Sequence, residues 1–107
     1  MTDRFLSMIG LAMKAGCVAS GDFACENKVR SGERGVLVLA EDASKNTAKK
    51  FQDKCAYYGV PLITARTKED LGKTIGKAER SVVFIGGQMS EAIIKKAKEQ
   101  NMIVSNI

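Results

Sequence analysis

SGDFACENKVRSGERGVLVLAED, residues 20–42, carries in order a glycine turn, a helix, a second glycine turn and a strand. The strand, Gly35 to Ala40, is an unbroken apolar run that stops at Glu41 and Asp42. Such a run between turn signals fits a strand covered on both faces, since a half-buried strand would alternate. Two carboxylates cannot stay in that core, so the chain must surface at Glu41. Gly21, where the helix opens, and Glu41–Asp42, where the strand closes, are then expected near one rim of the sheet. Open α/β folds place recognition residues on strand-end rims. This rim is the candidate functional surface.

The flanking sequence extends the same alternation. Upstream, Thr2 or Asp3 can cap a helix running to about Ala15, with Phe5, Met8, Ile9, Ala12 and Met13 as its inward stripe. Gly16 suits the C′ position, and Cys17 to Ser20 is a short extended link or edge strand. Asp22 is the expected cap, or first-turn acid, of the helix that runs to about Ser31. Downstream, Ser44 caps a helix reaching Tyr58, with Ala48, Phe51, Cys55 and Tyr58 inward and Lys45, Lys49, Lys50 and Lys54 on other sides. Leu62 to Ala65 is a short strand entered through Pro61. Thr67 caps the next helix, which ends near Ile75 and contains Gly72. A glycine inside a helix costs about 1 kcal/mol relative to alanine, so close approach of another backbone is expected there. Val82 to Ile85 is the second buried strand, followed by a Gly86-Gly87 turn and a helix from about Met89 to Gln100 with Ile93, Ile94 and Ala97 inward. Ile103-Val104 adds a last short strand. This order predicts an α/β protein, a three-layer α/β/α sandwich on a small parallel or mixed sheet.

Composition narrows the function. At 107 residues the chain is one domain able to build its own core. Its formal net charge of +5 permits a nucleic-acid partner. The chain has three cysteines (Cys17, Cys25 and Cys55), no histidine and no CxxC spacing, which argues against zinc and excludes a histidine base. No cofactor is implied, and the thiols are expected to be reduced and packed. No segment is apolar and long enough to span a bilayer, so no membrane partner is expected. The N-terminal stretch, broken by Ser7 and Gly10, reads as an amphipathic helix rather than a signal peptide, and the expected location is the cytoplasm. Glu41 and Asp42, adjacent in sequence, point in different directions and do not make an acid/base pair.

What remains is recognition. The rim offers Gly21, Asp22, Phe23, Asn27, Lys28, Glu41, Asp42, Ser44, Lys45 and Asn46. Asn and Glu side chains suit base edges, Lys28 and Lys45 suit phosphates, and Phe23 either stacks on a base or packs inside, with packing the preferred reading. The amides at Gly21-Asp22 and Gly86-Gly87 are open to an anion, but neither turn matches a phosphate-loop or dinucleotide fingerprint.

The pattern LAMKAG…SG, then VLVLAEDAS, then VPLITARTKEDLGKTIGK before a valine-rich strand, resembles the ribosomal protein superfamily of L-seven-Ae and L-thirty-e over nearly all of residues 4–100. The nearest branch is the bacterial YlxQ-like one. The resemblance implies a three-layer α/β/α sandwich with a mixed four-stranded sheet, and a kink-turn RNA-binding ribonucleoprotein role. It places RNA contact on Gly21 to Lys28, Glu41 to Asn46 and Lys77 to Ser81, which adds Ala24, Lys77, Ala78, Glu79 and Arg80 to the candidates. Kink-turn binders carry an Asn-Glu pair two and three residues after the glycine and a lysine three further on. Here those positions hold Phe23, Ala24 and Asn27, and Lys28 is the nearest cation. Their last loop is usually apolar, whereas here it reads Ala78-Glu79-Arg80. The leading expectation is a non-enzymatic RNA-binding protein associated with the ribosome or translation. The alternative is a protein-interaction adaptor that keeps the fold, and a third reading is a small-ligand protein using the Gly86-Gly87 turn.

Overall fold

A computed structural model describes residues 3–106. Five helices and five strands alternate: α1 Arg4–Lys14, β1 Val18–Ser20, α2 Asp22–Arg30, β2 Gly35–Leu39, α3 Lys45–Tyr58, β3 Leu62–Thr64, α4 Lys68–Thr74, β4 Val82–Gly86, α5 Gln88–Glu99 and β5 Ile103–Ser105. The sheet order is β1-β4-β2-β3-β5. Among the described residues only β2 and β3 pair in parallel, through the α3 crossover; the other pairs are antiparallel. The sheet is thus mixed, with five strands rather than four. The short strand expected at Ile103-Val104 is β5, which pairs Val104 with Ile63 along the outer edge of β3.

The two uninterrupted apolar runs lie at the centre of the sheet. Every residue of β2 and β4 is buried because helices cover both faces. Strand alternation splits their side chains between two cores. Val36, Val38, Val83 and Ile85 pack with Phe5, Ile9 and Ala12 of α1, Leu71 of α4, and Ile93 and Ala97 of α5. Leu37, Leu39, Val82 and Phe84 pack with Cys25 and Val29 of α2 and with Phe51 and Cys55 of α3. The result is a three-layer α/β/α sandwich, with α1, α4 and α5 on one side and α2 and α3 on the other.

Local signals fix the helix ends. Asp3 accepts the Leu6 N–H at 3.1 Å and caps α1; Thr2, the other candidate, lies outside the described residues. Ser44 and Thr67 cap α3 and α4 in the same way. At α2 the cap is Gly21 and not Asp22, which occupies the first turn. Tyr58 leaves the expected core stripe and is exposed. Gly59 reverses the chain in the left-handed conformation, and Val60 takes the buried place, its N–H donating to Cys55 O at 2.9 Å.

Candidate functional site

Strand register gathers the predicted segments at one end of the sheet. Ser20 pairs with Val83, and Val82 pairs with Leu39, which also faces Thr64. The ends of β1, β2 and β3 and the start of β4 therefore share one rim. Backbone bonds tie the outgoing segments together. The Gly21 N–H donates to Val82 O at 3.2 Å, Ala40 N–H to Ser81 O at 2.8 Å and Glu41 N–H to Arg66 O at 2.7 Å. Asp42 accepts the Lys68 N–H at 2.8 Å, and the Arg80 N–H donates to Lys68 O at 3.0 Å.

Gly21 shapes the entry to α2. Its φ of 89° and ψ of 159° fall where a β-carbon is strained, although nothing lies within 4 Å of where one would sit. Without a capping side chain, the first amides of α2 open onto the rim. Asp22 stands beside them and disfavours a full phosphate charge there, so neutral acceptors such as base edges or ribose hydroxyls fit better. Phe23 is 82% exposed, against the expectation that it packs inside. Position 23 lies in the first turn, ahead of the turn where Cys25 and Val29 reach the sheet, and its ring projects into solvent. Asn27 is exposed one turn on, on the same side of the helix. Ala24 is half-buried.

Lys28 is not brought to this rim. It lies about 9 Å along α2 from Asp22, and its Nζ donates to Glu33 at 2.9 Å. Both line a cavity of about 230 Å³ with Gly16, Cys17, Gly86 and Gly87, at the opposite end of the sheet. The Gly86-Gly87 turn is thus remote from the rim as well.

On the second segment Glu41, Asp42, Ser44, Lys45 and Asn46 are all exposed. The Ser44 hydroxyl is engaged, accepting the Thr47 N–H at 3.2 Å. On the third, Lys77, Ala78 and Glu79 are exposed, whereas Arg80 braces the loop. Its guanidinium donates to Glu79 O at 2.9 Å and Ser20 Oγ at 3.3 Å. Gly72 lets this loop lie directly on α4, as the mid-helix glycine predicted: a β-carbon there would overlap the Ala78 carbonyl.

Two rim residues escaped the sequence reading. Lys68 opens α4 beside Asp42; parallel β2 and β3 must end at the same edge, which was the available signal. Arg66 adopts a positive φ of 68° and pins the loop after β3 by donating to Asp3 at 2.6 Å and to Gln100 at 3.2 Å. No local pattern marks it. The Arg66 hydrogen bond holds the Asp3 carboxyl below the usual value.

The rim itself has little charge excess, since Lys45, Lys68, Lys77 and Arg80 are balanced by Asp22, Glu41, Asp42 and Glu79, and Arg66 is paired with Asp3. The buried thiols take no part. Burial pushes Cys25 and Cys55 up to about 12, far from the thiolate form a nucleophile or metal ligand needs. No group of three potential metal ligands occurs among the described residues. No helix among them is long and apolar enough to cross a membrane.

Comparison with known proteins agrees with this architecture. The chain is 42% identical over 85 residues to "RNA-binding protein YlxQ" of Bacillus subtilis (strain 168), spanning 79% of this chain and 85% of that protein. It is 34% identical over 96 residues to "RNA-binding protein YlxQ" of Enterococcus faecium, spanning 90% and 89%. A protein of unknown function from Bacillus halodurans superposes with a TM-score of 0.83 at 30% identity, over 88% of this chain and 96% of that one. The model of the Ribosomal protein L7Ae/L30e/S12e/Gadd45 family matches residues 3–103. The chain belongs to that family, in its YlxQ-like branch.

Proposed function

We propose that this chain is a non-enzymatic RNA-binding protein, associated with the ribosome or translation, that meets structured RNA on the rim. The contacts are Gly21 to Asn27, Glu41 to Asn46 and Lys77 to Ser81. The observation that carries the reading is the convergence of these three segments at one sheet end around the open amides of α2 and the exposed Phe23 ring. The names of the Bacillus subtilis and Enterococcus faecium relatives support RNA as the partner. Phe23 and Ala24 stand where kink-turn binders carry Asn and Glu. Recognition here leans on stacking at Phe23 and on backbone amides, with Asn27, Asn46 and Glu41 as the polar readers.

The test is binding of two labelled RNAs, a kink-turn and a plain duplex of equal length, at low and near-physiological salt. Retention of the kink-turn alone at the higher salt means specific recognition survives the substitutions. Joint release means charge-driven binding. Failure to bind either RNA at low salt contradicts the reading.

The exposure of Phe23 favours one second reading, a protein-interaction adaptor with that ring as its anchor. Phe23→Ala separates the two: loss of a protein partner with unchanged RNA affinity supports the adaptor.

A further inference from the structure

Part of the basic excess that the rim lacks is found on the seam between α2 and α3. Both helices start at the rim and run away from it on the same side of the sheet. On α2 the residues Phe23, Glu26 and Arg30 form one stripe at i, i+3 and i+7. On α3 Asn46, Lys50 and Lys54 form another at i, i+4 and i+8. The stripes meet at Glu26. Its carboxylate lies 2.7 Å from Lys50 Nζ, 3.6 Å from Lys54 Nζ and 3.5 Å from Arg30 Nη1. One carboxylate thus stands among three cations, and only the Lys50 contact is short enough for a hydrogen bond. The Lys50 hydrogen bond holds the Glu26 carboxyl below its usual value.

We propose that this seam is a second RNA contact, a phosphate track that continues from Phe23 and Asn46 down Lys50, Lys54 and Arg30. The proposal rests on the rim being the primary RNA site. Three cations against Glu26, with Asp22 also acting on Lys50 at the rim end, leave a net positive strip along the seam. Each lysine ammonium has three donors and Arg30 has five, so most remain free for phosphate oxygens. Glu26 gathers the side chains at the seam and at the same time offsets part of their charge. It therefore limits affinity for RNA. Of the other two α3 lysines, Lys45 stands on the rim and Lys49 is engaged with Asp53 at 2.9 Å.

The test measures affinity for one structured RNA across a salt series. Lys50→Gln/Lys54→Gln should weaken binding and reduce the slope of log affinity against log salt by roughly 1.5, the loss of two phosphate contacts. Glu26→Gln should act in the opposite direction, tightening binding several-fold. Lys95→Gln/Lys98→Gln, the same charge change on α5 across the sheet, serves as control. Circular dichroism melts establish that each variant folds. Equal effects of the two lysine pairs, or no tightening with Glu26→Gln, would overturn the track. If RNA binding responds to Phe23→Ala but to neither seam variant, the rim reading stands and the seam fails. If the unaltered chain binds no RNA, both readings fail.

Discussion

The backbone of Ala78 rests on Gly72, so closely that any side chain at position 72 would overlap the Ala78 carbonyl. The Lys77 N–H also donates to Gly72 O at 2.8 Å. Helix α4 therefore serves as the seat of the third rim segment. Gly72→Ala should destabilise the fold by about 1–3 kcal/mol, the range for forced overpacking. The gain of about 1 kcal/mol in helix propensity works against this but does not cancel it. Urea denaturation gives the stability, and amide shifts of Lys77 to Ser81 report the displaced loop. A variant as stable as the parent would show that the loop yields freely.

Gly21 tests the entry to α2 in a different way. No atom blocks a side chain there, so the cost of Gly21→Ala is conformational, about 1–3 kcal/mol. If the helix start shifts to relieve that strain, the first amides of α2 turn away from the rim. RNA affinity should then fall by more than the change in folding alone explains. Unchanged affinity would remove these amides from the account.

Phe23→Ala should leave stability within about 0.5 kcal/mol, since the ring packs against little. Loss of a stacked base should weaken RNA binding by about 1–3 kcal/mol. A large fall in melting temperature would instead make Phe23 a core residue.

The Asp3–Arg66 pair predicts acid sensitivity. The Arg66 hydrogen bond lowers the Asp3 carboxyl below 3.8 on folding. A depressed carboxyl stabilises the fold above its unfolded pKa, and that contribution disappears as pH falls through the folded value. Glu26 and Glu99, held low by hydrogen bonds from Lys50 and Lys96, act with the same sign. Stability should therefore decline below about pH 4. Asp3→Asn keeps an acceptor for the α1 cap but removes the titration. Its stability from urea denaturation should be slightly lower at neutral pH, by about 1 kcal/mol or less, and should fall less steeply in acid. A curve parallel to that of the parent would show that the pair contributes nothing.

The buried thiols give an independent check of packing. With both groups pushed up to about 12 by burial, Cys25 and Cys55 should resist alkylation in the native protein and react only on unfolding. Rapid labelling of either would show that the α2–α3 layer opens.

Much of this was legible in the sequence. The central strands announce themselves because β2 and β4 are buried on both faces and carry no polar residue. The close contact at Gly72 was legible because a helix tolerates a glycine there only at a cost. What was hidden depended on distant partners. The short strand at Ile103-Val104 was legible, but its place was not: with two of three residues of β5 exposed, only the free edge of β3 shows where it pairs. Phe23 is apolar and near a helix start, and nothing local states whether such a ring turns inward. Nearness to Gly21 in sequence points Lys28 to the rim, but the axial rise of α2 carries it to Glu33 instead. Charge placement was hidden for the same reason: the Glu26 cluster joins residues of two helices.

The most direct measurement is titration of the isotope-labelled protein with a structured RNA, following backbone amides by nuclear magnetic resonance. The largest shifts should fall on Gly21 to Asn27, Glu41 to Asn46 and Lys77 to Ser81, with Phe23 among them. Shifts confined to α1 and α5, or spread evenly over every exposed lysine, would contradict the rim as the RNA site.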